Sequence, residues 1–154
     1  MVCLGNICRS PTAEGVLRHL LQQESPSLPI EVDSAGTADY HIGDPPDRRS
    51  RRAAMARGID IGDLRGRQVE AADFSRFDLI LAMDRENLRA LQHLRPANTR
   101  AEVKLFMEYA PGNGSEVPDP YYRDAAAFEK VLDLTAAASR GLIASLRSRL
   151  QNGS

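Results

Sequence analysis

The chain has 154 residues and a mass of 16.9 kDa, which suits one compact domain and is too short for two ordinary ones. Twenty basic side chains nearly cancel 21 acidic ones, so no overall field recruits nucleic acid or a membrane surface. Two cysteines exclude a disulfide-rich secreted scaffold, and the longest apolar run, residues 79–83, is too short to span a membrane. With no basic-then-apolar leader at its start, the sequence predicts one cytosolic (cytoplasmic) domain over residues 1–154.

Apolar spacing at the start of the chain predicts a strand, a helix and a second strand. Residues 1–4 are typical of a strand end. Ser10 followed by Pro11 is typical of a helix start, with Ser10 as the N-cap. Residues 30–35 alternate between apolar and polar side chains and form the second predicted strand, which ends at Gly36.

The remaining sequence continues this alternation. The predicted elements are a helix at 46–58, a strand at 78–83, a helix capped by Asp84, a strand at 102–106, a loop at 110–123 and a helix at 124–150. Strands that alternate with helices predict an α/β domain with a mainly parallel sheet. Ligands bind beyond the carboxyl ends of the strands in such sheets.

The most informative segment joins the first strand to the first helix and reads Cys-Leu-Gly-Asn-Ile-Cys-Arg-Ser-Pro over residues 3–11. A loop of this length can curl so that its backbone N–H groups surround an anion, and Gly5 and Asn6 tolerate the left-handed backbone that such a curl needs. The following helix directs its positive end at the same point. The predicted phosphate-binding residues are Leu4, Gly5, Asn6, Ile7, Cys8 and Arg9.

Cys3 lies at the base of this loop, where the same positive field favours the thiolate over the thiol. We therefore predict that Cys3 is a nucleophile. The planar guanidinium of Arg9 can hold two oxygens of a phosphate at once, which makes Arg9 the predicted transition-state clamp. The hydroxyl of Ser10, near the helix start, is placed to donate a hydrogen bond to the sulfur.

Other interpretations of the cysteines fit the sequence less well. If both cysteines were ordinary buried thiols, nothing would explain why a glycine, an arginine and a Ser-Pro helix start accompany them in one short segment. A nucleotide-binding loop is excluded because no Gly-Lys-Ser or Gly-Lys-Thr ending follows. The histidines at positions 19, 41 and 93 lack ligand spacing, so we expect neither a metal nor a cofactor.

Residues 3–11 closely resemble the active-site signature of low-molecular-weight protein tyrosine phosphatases. The resemblance continues through Ser34-Ala35-Gly36-Thr37, Met83-Asp84 with Asn87-Leu88, and Asp119-Pro120-Tyr121-Tyr122, in the same order and spacing. It implies a four-stranded parallel sheet flanked by helices in three layers. It also implies hydrolysis of phosphotyrosine and small aryl phosphates through a phosphocysteine intermediate.

The resemblance assigns roles to further residues. It implies that Asp119 first protonates the leaving phenolate and then activates water, a role that the flanking prolines suit by stiffening its loop. It implies that Asn6, Ser10 and Ser34 support the loop and the thiolate. The aromatic side chains implied to form the rim of the substrate slot are Tyr40, Tyr121 and Tyr122. The implied partners are phosphotyrosine proteins or peptides and free oxyanions, and the implied assembly is a monomer or a weak dimer.

Several alternatives stay open at this stage. Phosphoarginine-specific relatives tend to carry threonine at the position of Ile7, so isoleucine favours phosphotyrosine. Arsenate reduction on the same fold needs further cysteines downstream, and none follows Cys8. A non-catalytic oxyanion sensor is a third possibility. The resemblance also implies that Cys8 can pair reversibly with Cys3 under oxidation, although a thiol that simply packs in the loop is the alternative.

Two departures from the family pattern matter. Only Met1 and Val2 precede Cys3, whereas strands average about five or six residues, so we expect a truncated first strand and lowered stability. Four arginines, at positions 48, 49, 51 and 52, cluster beside the predicted mouth. They either attract acidic phosphopeptides or form an ordinary solvated face.

Overall fold

The structure is a computed structural model that describes residues 1–153. Its sheet contains β1 (Val2–Cys3), β2 (Ala35–Gly36), β3 (Leu79–Ala82) and β4 (Glu102–Leu105), in the spatial order β2-β1-β3-β4. All three pairings are parallel, and Val2 lies opposite both Ala35 and Ala82. The short central strand β1 therefore delivers Cys3 to the carboxyl edge of the sheet.

The helices are α1 (Arg9–Glu24), α2 (Arg48–Met55), α3 (Asp73–Arg76), α4 (Arg85–Leu94) and α5 (Ala125–Asn152), and a 3-10 turn covers Phe106–Tyr109. The buried apolar side chains form two clusters, one on each face of the sheet. One cluster joins Leu81 to α1 and α5, and the other joins Ile80 to Phe74 and Leu91. Successive side chains of a strand point to opposite faces, so both faces of the sheet are covered and the domain has three layers.

Two predicted boundaries were wrong. Residues 30–34 are not paired in the sheet, and the strand consists of Ala35–Gly36, because its neighbour β1 offers only Val2 and Cys3 as partners. Helix α1 begins at Arg9 instead of after Ser10, and Cys8 occupies the N-cap position without a side-chain bond. Pro11 is tolerated there because the N–H groups of a first helical turn have no partner within the helix.

The helix α3 was missed because four residues are too few for an apolar period to show. The helix predicted at 46–58 is shorter in the structure, where Asp47 caps Arg48–Met55. Asp84 and Asp124 cap α4 and α5, the first as predicted. In the described part of the chain, no helix combines the length and apolar character needed to cross a membrane.

Candidate active site

The loop between β1 and α1 is tightly curled at the carboxyl edge of the sheet. Asn6 has a φ of 58°, in the left-handed region that Asn tolerates. The same expectation for Gly5 was wrong, because its φ is not positive. Gly5 instead allows a close approach, since an added Cβ would lie 3.1 Å from Cδ2 of His41. Asn6 thus supplies the left-handed turn of the loop, and the lack of a side chain at Gly5 leaves room for the ring of His41.

The sulfur of Cys3 lies beneath this loop, with only 3% of the residue exposed. The backbone N–H of Asn6 donates to Sγ at 3.3 Å, and Oγ of Ser10 lies 3.0 Å from Sγ. Donors that converge on a sulfur stabilise its anionic form more than its neutral form. The predicted support from Ser10 thus has the required geometry, although Ser10 lies inside α1 and not at its cap.

The side chain of Asn6 holds the Ser10 hydroxyl group in place. The backbone N–H of Arg67 donates to Oδ1 of Asn6 at 3.0 Å, which turns the amide nitrogen Nδ2 toward the loop. That nitrogen donates to Oγ of Ser10 at 2.7 Å. Ser10 is an acceptor in this bond, and its own hydroxyl proton has two acceptors within reach: Sγ of Cys3 at 3.0 Å and the carbonyl of Ala35 at 3.5 Å.

Nδ2 of Asn6 also donates to Oγ of Ser34 at 3.0 Å, and the hydroxyl of Ser34 in turn donates to Oε1 of Glu14 at 2.6 Å. Glu14 is buried, with Arg18 at 2.7 Å from Oε2. Burial raises the pKa of Glu14, and the bonds from Ser34 and Arg18 oppose that rise. Ser34 therefore occupies the supporting position that the resemblance implies, and Glu14 completes a network that the sequence analysis did not anticipate.

Arg9 is held rigidly at the other end of the loop. Its NH1 nitrogen donates to Oδ2 of Asp84 at 2.6 Å and to the carbonyl of Val117 at 3.1 Å, and only 4% of its side chain is exposed. Burial lowers the pKa of Arg9, but Cys3, Asp84 and Asp119 outweigh it and raise the pKa overall. The guanidinium consequently keeps its charge at every pH at which the protein is folded, and its hydrogen bonds orient it before any ligand binds.

Asp119 lies across the cleft from the loop. Its Oδ2 is 3.8 Å from NH2 of Arg9, and 48% of its side chain is exposed. Its Oδ1 accepts the backbone N–H of Tyr121 at 3.1 Å. An exposed carboxyl group that is oriented by its own loop is well placed to exchange protons with a ligand.

A single cleft gathers most of the predicted site. Its lining consists of Cys3, Leu4, Gly5, Ile7, Cys8, Arg9, Tyr40, His41, Asp119, Tyr121 and Tyr122. The rings of Tyr121 and Tyr122 meet edge to face at 4.8 Å, and Tyr40 is 71% exposed. The remaining predicted residues, Asn6, Ser10 and Ser34, are buried and connect to the sulfur through hydrogen bonds. The arrangement is a pocket with an aromatic rim, one buried arginine, one exposed aspartate and two buried sulfurs.

The sequence matches the family described as low molecular weight phosphotyrosine protein phosphatase over residues 1–152. The chain belongs to the low molecular weight phosphotyrosine protein phosphatase family. The low molecular weight protein-tyrosine-phosphatase of Streptomyces coelicolor is 40% identical over 154 residues, which cover 97% of this chain and 93% of that protein.

Solved structures agree with this assignment. A protein tyrosine phosphatase from Entamoeba histolytica, crystallised with Hepes in its active site, is 37% identical with a TM-score of 0.89, covering 99% of this chain and 95% of that one. The Drosophila arginine phosphatase DARP is 29% identical with a TM-score of 0.87, covering 94% of each chain. The predictions of the family, of the parallel α/β fold and of a cysteine-dependent protein-tyrosine-phosphatase are confirmed, and the arginine phosphatase and arsenate reductase alternatives are not favoured.

In this phosphatase the second cysteine has a different environment from Cys3. Cys8 is buried and free, and burial raises its pKa to about 12, with a hydrogen bond from Ser50 acting in the opposite direction. Cys8 is therefore a neutral thiol at neutral pH. In this phosphatase the Asn6 N–H and the Ser10 hydroxyl contact the sulfur of Cys3, whereas Ser50 contacts the sulfur of Cys8.

Sequence reasoning gave no site role to two further residues of the phosphatase. Asp84 lies two residues beyond β3, so the rule that ligand-binding residues cluster at strand ends could have placed it beside Arg9. His41 packs its ring against Gly5 and is paired with Asp44 at 3.1 Å, and no spacing in the sequence indicates that contact. Within residues 1–153 of the phosphatase, no three His, Cys, Asp or Glu side chains are grouped as metal ligands.

Proposed function

We propose that this cleft hydrolyses phosphotyrosine, with Cys3 as the nucleophile, Arg9 as the clamp for the phosphate oxygens and Asp119 as the general acid and base. The observation that carries the proposal is the convergence of these three groups on one cleft, with Arg9 fixed in place by Asp84 and lying 3.8 Å from Asp119. A nucleophile, a cation and a proton donor are the three groups that phosphate ester cleavage needs.

In the first step, an electron pair of the Cys3 sulfur forms a bond to phosphorus while the bond from phosphorus to the tyrosine oxygen breaks. The departing phenolate takes a proton from the carboxyl group of Asp119 and leaves as tyrosine. Arg9 and the backbone N–H groups of residues 4–8 hold the non-bridging oxygens, whose geometry changes most in the transition state. The product at this point is phosphocysteine at position 3.

In the second step, the carboxylate of Asp119 removes a proton from a water molecule, and the water oxygen attacks phosphorus. The bond between sulfur and phosphorus breaks, which returns the Cys3 thiolate and releases inorganic phosphate. Ser10 and the N–H of Asn6 stabilise the sulfur anion in both steps, since each lies within hydrogen-bonding distance of Sγ. One carboxyl group thus serves both steps.

The rim supports an aryl substrate. Tyr40, Tyr121 and Tyr122 line the cleft together with the aliphatic side chain of Ile7. A phenyl ring can pack between such side chains while its phosphate reaches the loop. A phosphotyrosine protein or peptide is accordingly the substrate class we propose. The two free thiols, Cys3 and Cys8, fit a reducing compartment such as the cytoplasm.

Asp119→Asn tests the proposed mechanism. We expect turnover of phenyl phosphate to fall by roughly 10²–10⁴-fold, because the phenolate then leaves without a proton, and turnover of a strongly activated nitrophenyl ester to fall much less. The measurement is kcat across a series of aryl phosphates of graded leaving-group acidity. Asp124→Asn is the matched control, since it makes the same change at the cap of α5, where Asn also caps well, outside the cleft. Equal losses for all leaving groups would contradict the acid role of Asp119.

We also propose Cys8 as the partner that closes a reversible disulfide with Cys3 after peroxide converts Cys3 to a sulfenic acid, with water as the leaving product. Both thiols belong to the same curled loop and both line the cleft. Under excess peroxide the Cys3 sulfenic acid of Cys8→Ser has no thiol partner and is oxidised further to a sulfinic acid, which dithiothreitol does not reduce. Dithiothreitol should therefore restore activity to the peroxide-treated unmodified protein but not to peroxide-treated Cys8→Ser. Equal recovery of the two proteins would remove Cys8 from this role.

A further inference from the structure

Helix α2 concentrates positive charge beside the cleft. Four of its eight residues are arginine and none is acidic, although the whole chain has a formal net charge of −1. Asp47, which precedes the helix, is engaged by Arg49 through two hydrogen bonds of 3.0 Å. The local excess of charge therefore belongs to the other arginines, and above all to Arg48 and Arg52, which are exposed.

The structure places the start of this helix against the phosphate-binding loop. The backbone N–H of Asp47 donates to the carbonyl of Ile7 at 2.8 Å. The guanidinium of Arg49 stacks 5.3 Å from the ring centroid of Tyr121, which lines the cleft. The first turn of α2 thus lies directly beside the mouth of the cleft, although none of its residues lines the cleft.

Arg48 and Arg52 share the solvent face of α2. Ser50 and Ala54 are buried on the opposite face. Residues four positions apart are neighbours on a helix surface, so the guanidinium groups of Arg48 and Arg52 form one patch. We name these two residues the α2 arginine pair.

The α2 arginine pair lacks a carboxylate partner within 4.0 Å among residues 1–153. By contrast Arg57, just beyond the helix, is neutralised by Glu129 and Asp133. Like charges four residues apart repel, and a cation in the first turn opposes the helix dipole. Arg52 lies in the last turn, where the dipole favours a cation, so the dipole cost falls on Arg48, and a bound anion would reduce both that cost and the repulsion.

Acidic side chains also lie near the cleft. Asp39 and Asp44 flank Tyr40 and His41, which line it, and both carboxylates are exposed, with Asp44 paired to His41. A peptide that binds at the mouth therefore meets carboxylates beside Tyr40 as well as the positive charge of α2. Complementary charge across such a rim selects partners more than it adds affinity.

We propose that the α2 arginine pair binds acidic side chains that flank phosphotyrosine in a protein or peptide substrate, on the side of the phosphotyrosine that faces α2. This inference rests on the proposed function and names the substrate class more narrowly. Because the pair is exposed, its attraction for a peptide weakens as ionic strength rises.

The test compares phosphotyrosine peptides that differ only in their neighbours: acidic residues before, after or on neither side, with Asn and Gln as the neutral replacements. We expect kcat/KM to be about threefold to tenfold higher for one of the acidic peptides at low ionic strength, and this preference to shrink at high salt. Arg48→Gln/Arg52→Gln should abolish the preference. Arg89→Gln/Arg95→Gln is the matched control, because it removes the same charge from two exposed arginines of α4 and its C-cap, outside α2.

Equal kcat/KM for the three peptides with the unmodified protein would overturn the inference, and so would a preference that survives Arg48→Gln/Arg52→Gln. A preference lost equally in Arg89→Gln/Arg95→Gln would also overturn it, by showing that only net charge matters. Hydrolysis of para-nitrophenyl phosphate is measured in parallel and should be the same in all three proteins. If the unmodified protein fails to hydrolyse it, the proposed function fails instead, so the two failures are distinguishable.

Discussion

Two cysteines five positions apart show how strongly a local environment decides the chemistry of a residue. The sulfur of Cys3 faces the N–H of Asn6 and the hydroxyl of Ser10, whereas Cys8 is buried and its pKa is raised to about 12. The sequence motif indicates Cys3 as the proposed nucleophile because the motif contains the loop and the helix start. It could not predict the network through Asn6 and Glu14, because the partners of these side chains come from distant parts of the chain.

The raised pKa of Cys8 has a consequence for stability at alkaline pH. An ordinary Cys has a pKa of about 9.0, so between that pH and about 12 the unfolded chain has lost a proton that folded Cys8 retains. Stability therefore decreases as pH rises through this window, by up to about 1.4 kcal/mol per pH unit from this group. Cys8→Ser should lack this component of the slope.

The measurement is the free energy of unfolding from urea titrations of both proteins between pH 8 and about 11. Subtracting the free energy of unfolding of Cys8→Ser from that of the unmodified protein at each pH removes the contribution of tyrosines and lysines that titrate in the same range. Parallel stability curves for the unmodified protein and Cys8→Ser would contradict the buried, neutral state of Cys8.

At the level of elements, amphipathic helices were easier to predict than strands. Helices α1 and α5 have long apolar stripes, so their existence was predictable even though the start of α1 was not. Strand β2 was overestimated because pairing depends on how many residues the neighbouring strand offers, which a local pattern does not contain. The four-residue helix α3 buries Phe74 completely, yet it is shorter than one apolar repeat.

The cap of α2 links an element to the site. The side chain of Asp47 accepts the backbone N–H of Arg49 at 2.8 Å, while its own N–H holds Ile7 of the loop. Burial raises the pKa of Asp47, but the hydrogen bonds from Arg49 outweigh it and lower the pKa overall. The stabilisation from this carboxylate is therefore present above the usual carboxyl range and is lost as pH falls through the lowered pKa.

Asp47→Ala should lower the free energy of unfolding by about 1 kcal/mol at neutral pH, since it removes a helix cap. Asp47→Asn is the control, because it keeps the capping oxygen and removes only the charge, and it should lose less. Thermal or urea unfolding at neutral and acidic pH gives both values, and the gap between Asp47→Asn and the unmodified protein should close at acidic pH. If Asp47→Ala has the same free energy of unfolding as the unmodified protein at neutral pH, the cap does not stabilise α2.

At the scale of the whole molecule, the parallel sheet brings distant residues into one cleft. Cys3 ends β1, Asp84 follows β3, and Val117 and Asp119 lie on the loop before α5. Strands that alternate with helices predicted this common edge from the sequence, and the family resemblance supplied Asp119. The distances that make the edge a site, such as 2.6 Å between Arg9 and Asp84, depend on packing that covers both faces of the sheet.

The most direct test of the account is to find where phosphate is attached during turnover. Asp119→Asn lacks the base that the second step needs, so it should accumulate phosphoenzyme when mixed with an activated aryl phosphate. After rapid quenching, peptide mass spectrometry should locate the phosphate on Cys3, leave Cys8 unmodified, and find no phosphoenzyme with Cys3→Ser. Phosphate on any residue other than Cys3, or sustained hydrolysis by Cys3→Ser, would contradict the account.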